Sequence, residues 1–285
     1  MPARPLAPVG AHVSVAGGLL KALPRADDVG AEALQVFVAN PRGWAPPPPD
    51  PAGDEAFRAA CSRPVFVHAP YLINFGSPSP ETLARSGDAL RFSLERGAAI
   101  GARGVVLHAG SAVLGNRWDD AMAQVRSSLA AVLDDVPDAP RLLIEPTAGG
   151  GGALASDAAS LAAYLDVLGR DERIGVCLDT CHMHAAGHDL STPASFAAAL
   201  RAFAAAAGRG RIGLVHVNDS RDPAGSKRDR HEALGRGTIG AGGTDAFAAL
   251  FTTPATRRVP MVVETADTDH AADIATLQAL RAAAG

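Results

Sequence analysis

Short apolar runs recur along this chain, and segments with helical periodicity separate them. Each run is about four to seven residues long and almost continuously apolar, which is typical of strands buried on both faces of a parallel sheet. The eight predicted strands are Val9–Ser14, Ala33–Ala39, Val65–Ala69, Gly104–His108, Arg141–Glu145, Ile174–Asp179, Ile212–Asn218 and Pro260–Glu264. A sheet of this kind needs helices to cover it, and the intervening segments supply them.

The segments between the runs place apolar residues three and four positions apart, which is the period of an amphipathic helix. The clearest case spans 118–136, and a leucine-marked segment at 83–94 predicts a second helix. The stretches 196–207 and 271–283 are rich in Ala and Leu and predict two more. Pro24 lies in the first helical segment, so that helix is expected to start late or to kink.

Eight strands that alternate with helices over about 250 residues predict a (β/α)8 barrel, the TIM barrel, as one α/β domain spanning 1–285. The alternative is a doubly wound open sheet, which often carries a Gly-rich phosphate loop after an early strand. Gly17-Gly18 does not match the dinucleotide-binding pattern. Two loops are conspicuous, the Pro run 46–49 and the long, Gly-rich, basic segment 219–243. A long loop in a compact domain is usually functional or disordered.

The composition narrows the class of protein. A chain with 47% hydrophobic residues is not intrinsically disordered, and its apolar runs are too short to span a membrane. No signal-peptide core follows Met1, and three cysteines are too few for a disulfide framework, so a protein of a reducing compartment, the cytoplasm, is expected. The net charge of −4 argues against a general polyanion binder but not against a local anion site.

Imidazole and carboxylate side chains stand at the ends of six consecutive predicted strands. Because the carboxyl ends of the strands of such a barrel converge on one rim, where active sites lie, these side chains are expected to meet in one pocket. The set contains no cysteine, and it matches the ligands of a catalytic zinc, iron or manganese cluster. Its members are His68, His108, Glu145, Asp179, His216 and Glu264, with His182 three residues after Asp179.

The basic segment adds two further candidate ligands. In an extended stretch, residues two apart share a face, so Asp229 and His231 are expected to bind one ion while Arg230 points away. The nine candidates are too many for one ion and enough for three. A single histidine at a strand end is more often a hydrogen-bonded core residue, but six strand ends with the same chemistry argue against that interpretation.

The remaining histidines, and the cysteine beside a candidate ligand, are given structural roles. His12 lies on the first strand and is expected to orient a ligand, whereas His184, His188 and His270 are expected at the surface. Cys181 is expected to be an inert thiol rather than a metal ligand.

At these residues the sequence resembles the endonuclease IV family of apurinic/apyrimidinic (AP) endonucleases. The matching segments keep their order along the whole chain, and together they are specific although each alone is weak. They are Gly10–Ser14, His68–Asn74, His108–Ser111, Glu145–Gly149, Asp179–His182, His216–Asp219, Asp229–His231 and Glu264–Thr265. The resemblance implies a (β/α)8 barrel with three zinc ions that acts in base excision repair. Such enzymes cut DNA 5′ to an abasic site and leave a 3′-hydroxyl and a 5′-deoxyribose phosphate.

The resemblance also implies three metal sites, with zinc as the metal or manganese at one or more of them. In the order of the sites, the ligand sets are His68, His108 and Glu145; Glu145, Asp179, His216 and Glu264; and His182, Asp229 and His231. On this resemblance Glu145 would be the catalytic residue that bridges the first two ions, with a metal-bound hydroxide as the expected nucleophile. Three divalent ions would turn the net charge of the chain positive, which suits a polyanionic substrate.

The expected partner is double-stranded DNA that contains abasic sites, bound by a monomer. The resemblance implies DNA contacts from Arg42, Tyr71 and Leu72, and Arg230 is expected to add one from the basic segment. Tyr71 and Leu72 would wedge into the base stack where a base is missing, since stacking is already lost there; simple loop packing is the alternative. The loops expected to contact DNA lie around 40–50, 69–77, 146–155 and 219–243.

Two other functions stay open on the sequence alone. Sugar isomerases and epimerases of related barrels resemble this chain in a Glu, Asp, His, Glu metal site on the last four strands, but they would not need His68, His108, His182 or the 229–231 loop. A catalytically inactive DNA- or metal-binding barrel is the other, and the presence of all nine ligands argues against it. The chain departs from the usual family pattern at Pro146 and at glycines 149–152, beside the ligands but not in them.

Overall fold

The computed structural model describes residues 6–113 and 117–285, and residues 1–5 and 114–116 of the predicted domain lie outside this description. Eight parallel strands close into a barrel. In chain order the strands are β1 Val9–His12, β2 Leu34–Phe37, β3 Val65–His68, β4 Gly104–His108, β5 Arg141–Glu145, β6 Ile174–Asp179, β7 Ile212–His216, the short pair β8 Asp219–Ser220 and β9 His231–Glu232, and the last barrel strand β10 Met261–Val263. The predicted (β/α)8 barrel is confirmed.

Helices connect the strands and cover the outside of the barrel. Asp50, Ser79 and Thr192 each cap a helix that begins with proline, because their side chains accept a hydrogen bond from a backbone N–H three residues on. The α-helices are α1 Ala22–Asp28, α2 Pro51–Ala60, α3 Pro80–Ala99, α4 Trp118–Asp135, α5 Ala158–Val167, α6 Thr180–Ala186, α7 Pro193–Ala207, α8 Ala249–Thr252 and α9 His270–Ala284. A 3-10 turn at Leu19–Lys21 precedes α1, so the first helix starts late, as Pro24 predicts.

The larger hydrophobic core lies between the strands and the inner faces of these helices. In α4 the predicted stripe of Met122, Val125, Leu129 and Val132 is buried, whereas Trp118 at the first position is 38% exposed. The amphipathic pattern is therefore confirmed except at its start. Within the described residues, no helix has the length and apolar character that a membrane span requires.

The interior of the barrel is built in layers, because alternate side chains of each strand point inward. One layer is an apolar cluster to which seven strand segments each supply a buried side chain. Its members are Ala33, Phe66, Val106, Leu143, Cys177, Leu214 and Val262. On the eighth strand Gly10 takes this place, since an added Cβ would lie 1.8 Å from the carbonyl oxygen of Ala33. The next inward position, two residues on, lies at or directly after the carboxyl end of seven strands and within β2 on the eighth, and the polar residues of the rim stand there.

The basic segment 219–243 is more ordered than the long loop that the sequence suggests. Strands β8 and β9 pair antiparallel within it, and the buried carboxylate of Asp219 accepts hydrogen bonds from five backbone N–H groups. The donors belong to Ser220, Gly235, Gly237, Ile239 and Gly240. Because hydrogen bonds to a carboxylate are charge-assisted, this one side chain folds the segment back on itself. The seventh strand accordingly ends at His216 rather than at the predicted Asn218.

Candidate metal centre

The nine predicted ligand side chains meet at the carboxyl end of the barrel, around the fully buried carboxylate of Glu145. Glu145 ends β5 and pairs in register with His108 at the end of β4. Its Oε2 atom lies 3.4 Å from Nε2 of His68 and 3.4 Å from Nε2 of His108. These three ligand atoms lie within 4.8 Å of one another, so they form a first group able to hold one cation.

A second group shares the same carboxylate. Nδ1 of His216 lies 3.0 Å from Oε1 of Glu145 and 3.1 Å from Oε2 of Glu264. Asp179 faces this nitrogen from the neighbouring strand β6, with Oδ2 at 3.9 Å. Asn218 fixes both neighbours, because its Nδ2 donates to Oδ2 of Asp179 at 2.7 Å and its Oδ1 accepts from the backbone N of Glu264 at 2.8 Å.

The third group lies at the mouth of the site, where the first turn of α6 meets the basic segment. Nε2 of His182 is 3.1 Å from Oδ2 of Asp229, and Nε2 of His231 is 3.1 Å from Oδ1 of the same carboxylate. Arg230 lies between these two ligands in sequence but turns away, as the alternation predicts. Its guanidinium donates two hydrogen bonds, at 2.6 and 2.5 Å, to the carboxylate of Asp222.

Donors and acceptors in this cluster are arranged for cations. Nδ1 of His68 lies 2.7 Å from the carbonyl oxygen of Ala69, and Nδ1 of His182 lies 3.1 Å from that of Pro146. A ring that donates to such a carbonyl presents its other, unprotonated nitrogen to the carboxylates. The buried Oε2 of Glu145 has no hydrogen-bond partner among the described residues. Imidazole nitrogens and carboxylate oxygens that converge in this way fit divalent ions, and zinc and manganese both accept such ligands.

Protons compete with cations for these ligands. Burial alone lowers the pKa of His231, but its hydrogen bond to Asp229 and the charges of nearby carboxylates outweigh burial and raise that pKa to about 9. The same balance raises the pKa of His182, whereas burial lowers the pKa of His108 to about 4. A ligand must lose its proton before it binds a metal, so loading releases protons from the crowded third group.

The cluster opens into a cavity of about 230 Å³, and Tyr71 stands at its edge. Tyr71 is 46% exposed, and its ring centre lies 5.2 Å from that of His68. Its backbone N donates to the carbonyl oxygen of Pro41 at 3.0 Å, which joins the loops that follow β2 and β3. The exposed Arg42 and the half-buried Leu72 therefore lie beside it, on the same rim as the ligands.

Two histidines that were expected at the surface are buried, so that prediction was wrong. His184 and His270 are each 3% exposed, and His188 is half-buried. Nε2 of His184 lies 3.2 Å from Oγ1 of Thr238, and Nε2 of His270 lies 3.0 Å from the carbonyl oxygen of Thr265. The folded basic segment and the start of α9 cover them, and a single sequence does not show such tertiary contacts.

Three further side chains complete the description of the rim. Cys181 is buried, and burial raises the pKa of its thiol to about 12, but its sulfur also lies within 4.8 Å of ligand atoms of Asp179 and His231, so its inert role stays a prediction. Nδ1 of His12 lies 3.4 Å from Oε1 of Glu264. Sequence reasoning missed Gln35, whose buried amide also contacts Glu264. The alternation of inward and outward residues could have revealed it. Gln35 follows Ala33 of the apolar layer by two residues, and each ligand on another strand likewise follows the residue that its own strand supplies to that layer.

Comparison with known proteins identifies the family. A family model described as a xylose isomerase-like TIM barrel matches residues 23–282. The protein named probable endonuclease 4 of Streptomyces coelicolor is 51% identical over 285 residues, which cover 97% of this chain and 96% of the relative. The chain belongs to the endonuclease IV family. Membership confirms the resemblance seen in the ordered segments and makes the chain a nuclease, a hydrolase of DNA repair.

Solved structures agree with the endonuclease IV assignment. The crystal structure of endonuclease IV from Thermus thermophilus superposes with a TM-score of 0.82 at 33% identity, covering 96% of this chain and 98% of that one. A D-tagatose 3-epimerase-like protein superposes with a TM-score of 0.75 at 16% identity, covering 97% and 98% of the two chains. This second likeness shows the shared barrel alone.

The sharing of Glu145 between two groups predicts how metal content responds to its loss. We expect about three divalent ions per chain in the parent protein. Glu145→Gln should lose about two of them, because the neutral amide removes a charged ligand from the first and second groups while His182, Asp229 and His231 remain. Elemental analysis of the purified proteins measures this.

The matched control is Glu172→Gln, which changes the same charge at an exposed position near the opposite end of β6. It should retain the parent's metal content. One ion or none in the parent, or full occupancy in Glu145→Gln, would contradict the three-site arrangement.

Proposed function

We propose that this chain is a metal-dependent AP endonuclease of base excision repair. It hydrolyses the phosphodiester 5′ to an abasic site in duplex DNA and leaves a 3′-hydroxyl and a 5′-deoxyribose phosphate. The observation that carries this proposal is the set of three ligand groups that share one rim with an exposed aromatic residue and an exposed arginine. Membership of the endonuclease IV family supports it independently.

In this proposal the nucleophile is water, because none of the described side chains at the site is suited to that role. Divalent ions bound at groups of this kind lower the pKa of water and neutralise charge on phosphoryl oxygens. Among the described residues that line the 230 Å³ cavity, the rings and carboxylates of the ligand groups dominate. Tyr71 is the other lining side chain, and burial raises the pKa of its phenol, so it remains protonated. The thiol of Cys181 is buried with its pKa also raised, which removes it as a nucleophile.

Recognition of damage is assigned to the joined loops after β2 and β3. The hydrogen bond from Tyr71 N to the Pro41 carbonyl holds Arg42 and Tyr71 side by side above the first ligand group. In intact duplex, a wedge between stacked bases costs a few kcal/mol per step. At an abasic site much of that stacking is already lost, so insertion of Tyr71 and Leu72 favours damaged DNA. A duplex substrate also implies that the enzyme works in the bacterial cytosol, at the nucleoid, and as a monomer whose rim is open.

A sugar isomerase or epimerase is the second candidate. The group of Glu145, Asp179, His216 and Glu264 could serve such an enzyme by itself, and epimerase-like barrels share the fold. The separate third group and the arginines around it have no role in that chemistry. An AP endonuclease accounts for both.

The direct test is product analysis. A duplex with one abasic site should be nicked 5′ to it, and the upstream fragment should be extended by a polymerase because it carries a 3′-hydroxyl. An otherwise identical undamaged duplex is the control substrate and should stay intact. Isomerisation of ketoses without nicking of either duplex would favour the second candidate instead.

The expected contact of Arg230 with DNA predicts that its removal changes the salt dependence of DNA binding. Its guanidinium is about half exposed and already paired with Asp222, so a phosphate would have to share or replace that carboxylate. Arg230→Ala should weaken binding to a non-hydrolysable abasic duplex and reduce the slope of log affinity against log salt by about one. Fluorescence anisotropy at several salt concentrations measures both quantities.

Arg257→Ala is the matched control, because Arg257 is exposed just before β10, at the opposite end of the barrel. It should leave the slope unchanged. An unchanged slope in Arg230→Ala would mean that Arg230 serves its ion pair with Asp222 and not DNA.

The proposed insertion of Tyr71 and Leu72 into DNA predicts that cleavage at an abasic site can be separated from hydrolysis of a small phosphodiester. Tyr71→Ala with Leu72→Ala should leave all nine ligands in place, so hydrolysis of a small activated phosphodiester should survive. Cleavage at an abasic site should fall about five- to 150-fold, since stacking on an aromatic ring is worth roughly 1–3 kcal/mol per base. Both rates are measured after metal content is checked.

Arg42→Ala should shift the two activities in the same direction, because it lies beside the same gap. Equal loss on both substrates would mean that the loop supports the metal centre. No loss on either substrate would mean that Tyr71 and Leu72 serve only to pack the loop.

A further inference from the structure

Gln35 is a buried polar residue in an otherwise apolar strand, and the proposed chemistry has not yet used it. It lies in β2 between Leu34 and Val36 and has no exposed surface. Its side chain points into the barrel, at the inward position that carries ligands on other strands. A buried amide without partners is costly, so its contacts should account for its presence.

Three polar groups surround the amide of Gln35. Nε2 lies 2.6 Å from Oε1 of Glu264 and 2.9 Å from Nδ1 of His12. Oε1 lies 2.8 Å from Nε2 of His216. One side chain on β2 therefore joins the ends of β1, β7 and β10 at a single point.

The carboxylate of Glu264 fixes which way the amide faces. An ionised carboxylate only accepts hydrogen bonds, so the NH2 group of Gln35 must face Glu264. The amide oxygen then faces His216 and can only accept, which places the proton of His216 on Nε2. In the neutral ring the other nitrogen, Nδ1, keeps its lone pair on the side of Glu145 and Glu264, where a bound cation would take the place of the proton that Nδ1 otherwise shares with them.

The same amide also selects the free oxygen of Glu264. Oε1 of Glu264 accepts from Gln35, and this leaves Oε2 facing Nδ1 of His216 at 3.1 Å. Histidine ligands usually donate their second ring N–H to a fixed acceptor, and loss of that partner typically lowers metal affinity about 10–100-fold. Gln35 supplies such an acceptor for one ligand and a donor for another.

We propose that Gln35 is a positioning residue for the second ligand group, Glu145, Asp179, His216 and Glu264. It sets the tautomer of His216 and the orientation of Glu264 together, so that both present lone pairs to one cation. This inference rests on the proposed metal centre. It predicts that loss of the amide weakens one ion of three and leaves the first and third groups, which Gln35 does not touch, as they are.

The experiment measures metal release from the zinc-loaded protein to an excess of a coloured chelator. Gln35→Leu removes the amide at similar volume, and Gln35→Met does so with an unbranched side chain in case the first variant does not fold. We expect one ion per chain to leave about 10–100-fold faster than in the parent, and the other two to keep the parent's rates. Circular dichroism confirms that each variant is folded.

Gln124→Leu is the matched control. Its amide also makes short hydrogen bonds, at 2.6 Å to the carbonyl oxygens of Phe75 and Ser77, but it contacts none of the nine ligands. It should release its ions as the parent does. A second readout is the 15N spectrum of the imidazoles, in which His216 should be the Nε2–H tautomer in the parent and a mixture of forms in Gln35→Leu.

The outcomes separate this inference from the proposed function. A parent that holds three ions, with a Gln35 variant that releases all three at the parent's rates, would overturn the role of Gln35 and leave the metal centre standing. Equal acceleration of all three ions in a folded variant would also overturn it, because that result indicates general loosening of the rim. A parent that binds no zinc would instead overturn the proposed metal centre itself.

Discussion

The rim of this barrel depends on one buried charge, the carboxylate of Glu145. An ionised group with no solvent contact costs several kcal/mol unless it is paired, so its neighbours must supply compensation. His68 and His108 approach one of its oxygens, and His182 and His216 approach the other. Imidazole suits this position because it accepts either a proton or a metal ion on the side that faces the carboxylate.

The layers of the barrel explain how a folded protein can hold so many charged side chains close together at the rim. The apolar layer beneath the rim closes the site from below, so water can approach the polar groups only from the mouth. Exposure then rises toward the mouth, from 0% at Glu145, Asp179 and His216 to 48% at Asp229. Charge interactions are strongest at the dry end and screened at the wet end. On the proposed function, a phosphodiester therefore reaches the third group first, and the shared carboxylate of Glu145 lies deepest, where it would hold cations rather than the substrate.

The barrel and the convergence of the nine candidate side chains could be predicted because each rests on local pattern. Buried strands show as apolar runs, and the last inward position of a strand is visible when a His, Asp or Glu stands there. Gln35 occupies the matching inward position on β2, two residues after Ala33. An amide is not a usual metal ligand, so its residue type gave no signal although its position in the strand alternation did. His184 and His270 were misplaced for a different reason. Their burial depends on the folded basic segment and on the start of α9, which are contacts distant in sequence.

The basic segment shows most clearly that a count of charges in the sequence does not reveal which of them are paired in the fold. In sequence it presents five cations beside a predicted metal site, which favours a phosphate-binding loop. In the structure Arg228 and Arg230 both lie against Asp222, Arg221 pairs with Glu232, and Arg236 pairs with Asp269. Among the described residues of the segment, Lys227 is the cation without a carboxylate partner.

Much of the positive charge thus serves to fold the segment that delivers Asp229 and His231, and the same ion pairs lower the field that DNA would meet. An exposed pair such as that of Arg221 with Glu232 is worth about 0–1 kcal/mol, so a phosphate can displace its carboxylate at little cost, whereas the buried carboxylate of Asp222 holds Arg230 by two hydrogen bonds. On the proposed function, the segment therefore holds Asp229 and His231 in place before DNA arrives, and its more exposed arginines remain free to exchange a carboxylate for a phosphate.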